Sequence, residues 1–302
     1  MQIGMVGLGR MGANMTTRLL GGDHDVVVYD VNPEAVEKSV AEGATGADSL
    51  ADLAGKLRAP RAVWVMVPAG TITTETIDTL APLLEPGDAL IDGGNSRYTQ
   101  SMEHAANLAA KDVGFADAGT SGGIWGLKNG YCIMVGAEED TFKRLEPIFA
   151  TLAPDNGYAH VGPPGAGHFV KMMHNGIEYA MMQAYGEGFE LLRSSAHFEL
   201  DLGQIAEVWR HGSVVQSWLL DLAASALTKD PDLSSLDDYV EDSGEGRWTI
   251  ETALENAVPA PTIALSLFRR FSSRQDESFS NKLLAALRNE FGGHPVHAAM
   301  DR

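Results

Sequence analysis

The chain has one cysteine, few basic residues and no long apolar run, and each shortage excludes something. Cys132 stands alone in 302 residues, so no intrachain disulfide exists and a reducing compartment is the default. It lies inside the apolar run YCIMVG without an activating neighbour, and reads as a buried strand thiol rather than a nucleophile. Only 22 Lys and Arg stand against 41 Asp and Glu, a formal net charge of −19. That balance argues against binding to nucleic acid or an anionic membrane surface, and any anionic substrate needs a local cluster of cations. No stretch of about 18 uninterrupted apolar residues is present, which speaks against a membrane span. The opening MQIGMVGLG lacks the basic start and apolar region of a secretion signal, so a cytoplasmic protein is expected. Internal repeats and long low-complexity segments are also missing.

What is present is a change of rhythm. Short β-branched runs alternate with helical patterns through QIGMVG, DVVVYD, AVWVMV, ALIDGG, GFADAG, YCIMVG and YAHVG. Strands separated by helices of this length predict a parallel sheet covered on both faces. The alternation stops at HVGPPGAGH, where Pro163, Pro164, Gly165 and Gly167 mark a break. Beyond it the chain reads as long helices. The expected architecture is α/β: a Rossmann-type doubly wound sheet over residues 1–162, followed by an all-α domain over residues 163–302, including a short tail.

The first strand runs into GLGRMG, which places Gly7, Gly9 and Gly12 in the G-x-G-x-x-G pattern with Leu8, Arg10 and Met11 between them. The three glycines suit a tight turn, a close approach to a pyrophosphate and tight helix-on-strand packing. The helix that follows offers amide hydrogens and a positive dipole end to phosphates. The second strand ends in Asp30, near the spacing at which an acid accepts hydrogen bonds from an adenosine ribose. A carboxylate there repels a 2′-phosphate, so NAD is favoured over NADP. Val67, Pro68 and Ala69 follow the third strand run, at the sheet edge where ligands bind.

DGGNS and GTSGG also follow strands. Asn95 and Ser121 bring hydrogen-bonding side chains, and Gly122 and Gly123 let the backbone approach a ligand. The segment VKMMHNGIEYAMMQ carries Lys171, His174, Asn175, Glu178 and Tyr179 within an arc of about 140° on one helix face. Met173, Ile177, Ala180, Met181 and Ala184 form the opposite side, with the spacing of a core contact. A polar stripe holding both a base and an acid suits two successive proton transfers, since an alcohol oxidised by hydride loss needs a base at its hydroxyl.

In order, GLGRMG, DGGNS, GTSGG, KMMHNGIEY and GRWT resemble the decarboxylating 6-phosphogluconate dehydrogenase family, in its short-chain, NAD-preferring form, across nearly the whole chain. The resemblance implies oxidative decarboxylation of 6-phospho-D-gluconate to D-ribulose 5-phosphate and CO2 with reduction of NAD, a step of the pentose phosphate pathway and of gluconate utilization. By similarity Lys171 is the base at the C3 hydroxyl and Glu178 the acid at C1. Asn95, Ser121, Gly122, Gly123, His174 and Asn175 hold the sugar acid, with Asn95 also beside the cofactor; Tyr179 and Arg270 reach the phosphate. Arg288 and His294 of RNEFGGH match residues that the neighbouring subunit supplies, which implies a homodimer, with tetramers left open. Two departures stand out. The chain is shorter than full-length members, and DSGEGRWT has Ser243 and Glu245 where they carry a lysine and a threonine that touch substrate. Arg247 is placed to compensate. The competing reading is a dehydrogenase or reductase of a small unphosphorylated β-hydroxyacid, such as 3-hydroxyisobutyrate or tartronate semialdehyde. A silent NAD-binding dimer is a further one, disfavoured by the presence of both Lys171 and Glu178.

Overall fold

A computed structural model describes residues 1–297. The strands are β1 Gln2–Val6, β2 Asp25–Tyr29, β3 Thr45–Gly46, β4 Ala62–Val65, β5 Ala89–Asp92, β6 Gly114–Ser121, β7 Cys132–Ala137 and β8 Tyr158–Gly162. They form one eight-stranded sheet in the order β3-β2-β1-β4-β5-β6-β7-β8. Between them lie α1 Arg10–Gly21, α2 Pro33–Ala41, α3 Leu50–Lys56, α4 Thr71–Leu80, α5 Tyr98–Ala109, the short α6 Gly126–Asn129 and α7 Glu139–Leu152.

Side chains alternate across a strand, and the two faces accordingly build two cores. Ile3, Met5, Val28, Trp64 and Ile91 face Met15 and Leu19 of α1 and Leu145 and Phe149 of α7. Val27, Val63, Val65 and Leu90 face Leu53 of α3, Ile77 and Leu80 of α4 and Leu108 of α5. Burial of β4 and β5 along their whole length follows from this double cover.

Two features of the sheet were not expected. β6 and β7 pair antiparallel, Asp117 opposite Gly136 and Ser121 opposite Cys132. The segment joining them holds only a 3-10 turn at Gly123–Trp125 and the single-turn α6, whereas a parallel return needs a crossover of about a dozen residues or more. β3 is two residues of Thr-Gly, too short to leave a periodic signal. Cys132 also departs from expectation: it opens β7 at the strand end and is exposed, not buried.

After β8 the chain is helical: α8 Ala166–Arg193, α9 Leu202–Trp209, α10 Trp218–Lys229, α11 Glu245–Glu255, α12 Pro261–Ser272 and α13 Phe279–Gly292. Two compact units result, one from Met1 to Gly176 and one beginning at Ile177, so the division falls inside α8. The first turns of α8 belong to the sheet because Gly167 lies against the backbone of β6 and β7: an added Cβ would stand 2.3 Å from Asp117 O and 2.5 Å from Met134 O. Residues 298–302, the end of the tail in the expected helical domain, lie outside the described residues. Among the described residues no helix is long and apolar enough to cross a membrane, and no group of His, Cys, Asp and Glu is placed to hold a metal ion.

Candidate active site

In the first unit the candidate residues gather along the carboxyl ends of β1, β2, β4, β5 and β6. The strand order reverses between β1 and β4, which opens a crevice in a doubly wound sheet. Gly7 turns with φ +93°, and a Cβ there would stand 2.3 Å from Met66 O. A Cβ on Gly12 would stand 1.9 Å from Gly7 O, so α1 can approach β1 only with glycine at this position. Beside Gly9, by contrast, an added Cβ meets nothing within 4 Å. Open space therefore lies at the N-terminus of α1, whose first turn has no acidic residue and no side-chain cap. That is the arrangement a pyrophosphate requires. At the end of β2, Asp30 accepts the amide hydrogens of Leu8 at 2.6 Å and Asn32 at 2.8 Å, tying the glycine turn to the ribose position. These residues fit a dinucleotide. Pro68 and Ala69 are exposed in the loop after β4, where Thr73 donates to Pro68 O at 2.9 Å.

Buried Asp92 at the end of β5 accepts from the Gly94 amide at 3.0 Å, a local turn that leaves Asn95 exposed. β6 runs on past this point by four residues to Ser121, after which Gly122 and Gly123 both take positive φ, +133° and +52°. The protruding end of β6 receives α8. A Cβ on Gly119 would stand 2.4 Å from Lys171 Cβ, so Lys171 rests directly on the strand that ends at Ser121. Lys171 is 7% exposed and Asn175 8%. His174 Nδ1 lies 3.0 Å from Asn175 Oδ1; since a carbonyl oxygen only accepts, this ring nitrogen carries the hydrogen.

Sequence reasoning read GFADAG only as a strand and missed Asp117. Its carboxylate is fully buried and accepts from the amides of Gly165 at 2.6 Å and His168 at 2.7 Å. Ser101 Oγ lies 2.7 Å from His168 Nδ1 behind it. The available signal was an aspartate inside an otherwise apolar strand, which folding buries and which must then find donors.

In the second unit Tyr179 is buried, with the Arg270 guanidinium 3.5 Å from its ring centre. The Tyr179 hydroxyl accepts from the Ser243 amide at 3.1 Å, and Ser243 Oγ donates to Glu245 Oε2 at 2.6 Å. Glu245 is 2% exposed, its carboxylate held by the Ser243 hydroxyl. Arg247 does not stand ready for an anion: it donates to Asp242 at 2.6 Å, and Arg274 completes the same carboxylate at 2.7 Å. With burial opposing them, hydrogen bonds from Arg247 first and Arg274 next bring Asp242 down to about 2.

Of the two α8 faces, only the apolar one departs from expectation. Lys171, Asn175 and Tyr179 of the polar stripe are buried, while Ile177 is 55% exposed and Met181 and Ala184 are also exposed. Among the described residues the apolar stripe is therefore not a core contact at Ile177, Met181 and Ala184. Glu178 lies seven residues after Lys171 on the same continuous helix, about 10.5 Å along its axis and on the same face. Arg288 sits on α13, a helix with no buried residue, and His294 follows it, exposed, its carbonyl accepting from Asn289 Nδ2 at 2.9 Å. Within one chain these two residues stay on the surface.

Comparison with known proteins agrees along the whole chain. The profile of the NAD binding domain of 6-phosphogluconate dehydrogenase matches residues 2–162, and that of the 6-phosphogluconate dehydrogenase C-terminal domain matches residues 167–299. An NAD(+)-dependent, decarboxylating 6-phosphogluconate dehydrogenase of Haloferax volcanii is 45% identical over 299 residues, covering 98% of this chain and 98% of that one. The solved 6-phosphogluconate dehydrogenase of Plasmodium falciparum superposes with a TM-score of 0.84 at 27% identity, over 100% of this chain and 67% of that one. The 3-hydroxyisobutyrate dehydrogenase of Salmonella typhimurium shares the fold, with a TM-score of 0.75 at 24% identity over 90% of this chain and 93% of that one.

Proposed function

The chain belongs to the 6-phosphogluconate dehydrogenase family, and we propose that it oxidatively decarboxylates 6-phospho-D-gluconate to D-ribulose 5-phosphate and CO2 with NAD. The observation that carries this reading is the polar stripe of α8, buried at Lys171, Asn175 and Tyr179, which has a lysine against Gly119 and a glutamate two turns later on the same face. Simple hydride transfer to or from a small hydroxyacid uses the lysine but has no work for the glutamate.

Gly7, Gly9, Gly12 and Asp30 would hold NAD, which would supply a hydride acceptor for C3. Lys171 takes the proton of the C3 hydroxyl as that bond to hydrogen breaks. The product is a β-keto acid, and protonated Lys171 then polarises its carbonyl, so the electrons left by departing CO2 are stabilised as an enediol. Glu178 delivers the proton to the carbon that lost CO2. Asn95, Ser121, Gly122, Gly123, His174 and Asn175 orient the sugar acid, and Tyr179 and Arg270 take the phosphate, the guanidinium offering paired donors. With Glu245 itself anionic and Arg247 paired with Asp242, the loop before α11 contributes little positive charge. The missing charge comes from Arg288 and His294 of a second copy, which makes the enzyme a dimer with shared sites in a reducing, cytoplasmic setting. The exposed apolar faces of α8 and α13 support that assembly.

The test is parallel measurement of NADH and CO2 from purified protein given 6-phosphogluconate, with NADP and 3-hydroxyisobutyrate as alternatives. Equimolar NADH and CO2, faster with NAD than NADPH forms with NADP, is the expected result. Turnover of 3-hydroxyisobutyrate with none of 6-phosphogluconate overturns it.

A further inference from the structure

We propose that Asp117 is a positioning residue for Lys171, acting as a cap that the sheet supplies to the catalytic helix; this rests on the reading of Lys171 as the base. The helix lacks a cap of its own. Gly165 precedes its first residue and its carbonyl accepts from the Phe169 amide, so Gly165 is the N-cap and His168 the third helical residue. A side chain at Gly165 is excluded, because φ is +95° and a Cβ would stand 2.6 Å from Met102 Cγ. In a capping box, separate side chains at the cap and third position satisfy these two amides. Here one carboxylate from β6 accepts from both, at 2.6 Å and 2.7 Å.

The same strand then measures out the site. Alternate residues of β6 share a face, so Asp117, Gly119 and Ser121 point the same way. Asp117 holds the cap and Gly119 meets Gly167 and Lys171 Cβ, while Ser121 is the strand's last residue at the sugar-acid position. Two residues of strand advance about 6.6 Å, and the four helical residues from Gly167 to Lys171 about 6 Å. Strand and helix thus run in step, and the cap sets where Lys171 stands relative to Ser121. Gly136 on β7 seals the arrangement, since a Cβ there would stand 2.5 Å from Asp117 Oδ1. Met66 and Val67, rather than these residues, stand nearest the dinucleotide turn at Gly7, so the effect is expected at the reacting end of the site.

Asp117→Asn keeps the size but leaves one amide facing an amide, and Asp117→Ala removes both acceptors. Because a displacement of about 1 Å at a reacting group costs on the order of 100-fold, kcat with 6-phosphogluconate is expected to fall roughly 10-fold in Asp117→Asn and 100-fold in Asp117→Ala, with the Kd for NAD within about 2-fold of wild type. Competitive labelling of lysines with acetic anhydride reads the position of Lys171 without turnover: its rate relative to exposed Lys143 is expected to rise several-fold. Should Asp117→Ala fail to fold, Gly119→Ala tests the second contact, since its methyl must push Lys171 away while the cap is intact. It is expected to lower kcat comparably with NAD binding retained. Wild-type kcat and wild-type labelling of Lys171 in both Asp117→Asn and Gly119→Ala overturn the proposal. Absence of 6-phosphogluconate turnover in the wild type overturns the functional reading instead, and the labelling result still decides the role of Asp117.

Discussion

Asp117 and Asp242 are both buried carboxylates, and the two units hold them by opposite means. In the first unit Asp117 has backbone amides as its close donors, and burial pushes its carboxyl above the ordinary range against the opposing pull of His168 and those amides. In the second unit two arginines clamp Asp242 and bring it down to about 2. The contrast extends to the apolar side chains. Trp64, Phe149, Met15 and Leu90 of the first unit are essentially inaccessible, whereas Leu254, Leu265, Phe268, Phe279 and Phe291 of the second lie open to solvent. The first unit closes on itself through main chain and core. The second has a smaller apolar core around Ala206, Leu220, Ala224 and Leu227 and leaves apolar faces of the kind that mark protein interfaces.

Removing the two proposed proton carriers, Lys171 and Glu178, should have the largest effect. Lys171→Ala and Glu178→Ala are each expected to lower kcat by about 1,000-fold, within the range for a lost general acid or base, while substrate still binds. Steady-state kinetics with a separate binding titration checks this, and near-normal turnover in either contradicts the assignment. Next comes the open surface. Leu284, Leu287 and Phe291 form one stripe on α13, and Leu284→Glu with Phe291→Glu is expected to abolish dimers in sedimentation and, at nanomolar protein, to cost about 10- to 100-fold in activity through lost trans contacts. Core packing of the first unit should be untouched, so NAD binding persists. A smaller effect is expected inside that unit. Asp30→Asn should weaken NAD about 10-fold while changing NADP less, because a charged acceptor of hydrogen bonds is worth roughly 1.5–3 kcal/mol.

The smallest expected effect sharpens the contrast between the two aspartates. Asp242 titrates lower in the folded chain than unfolded, so its ionised form contributes stability above about pH 4 and loses it as pH falls toward about 2. The depression corresponds to about 2 kcal/mol at neutral pH, and Asp242→Asn should remove it in denaturant titrations, with the difference from wild type vanishing in acid. Asp117 has the reverse sign. Its ionised form costs stability above its raised folded pKa, and acidification relieves that cost before Asp242 lets go.

The sheet was legible because its signals are local. Runs such as DVVVYD and AVWVMV are buried on both faces, and the spacing of Gly7, Gly9 and Gly12 is matched by two close backbone approaches and one open space. Non-local features were not legible. The antiparallel turn into β7 depends on the length of a connection, β3 is too short for any pattern, and the exposure of Cys132 depends on where β7 begins. Asp117 was missed because its donors lie some 50 residues downstream, at Gly165 and His168. The polar stripe of α8 was visible as a stripe. Periodicity shows that a helix has two faces, but not which one the rest of the chain covers, and here it covers the polar one at Lys171, Asn175 and Tyr179.

The central claim is a decarboxylating dehydrogenase whose base comes from one copy and whose last cations come from another. Mixing Lys171→Ala protein with Arg288→Ala protein tests it directly, with NADH formation from 6-phosphogluconate as the readout. Each variant alone is expected to be nearly inactive. After subunit exchange, about half of the dimers are mixed and each carries one intact site, so activity should return to roughly a quarter of wild type. No recovery despite demonstrated exchange, or full activity of Arg288→Ala alone, would contradict the shared site.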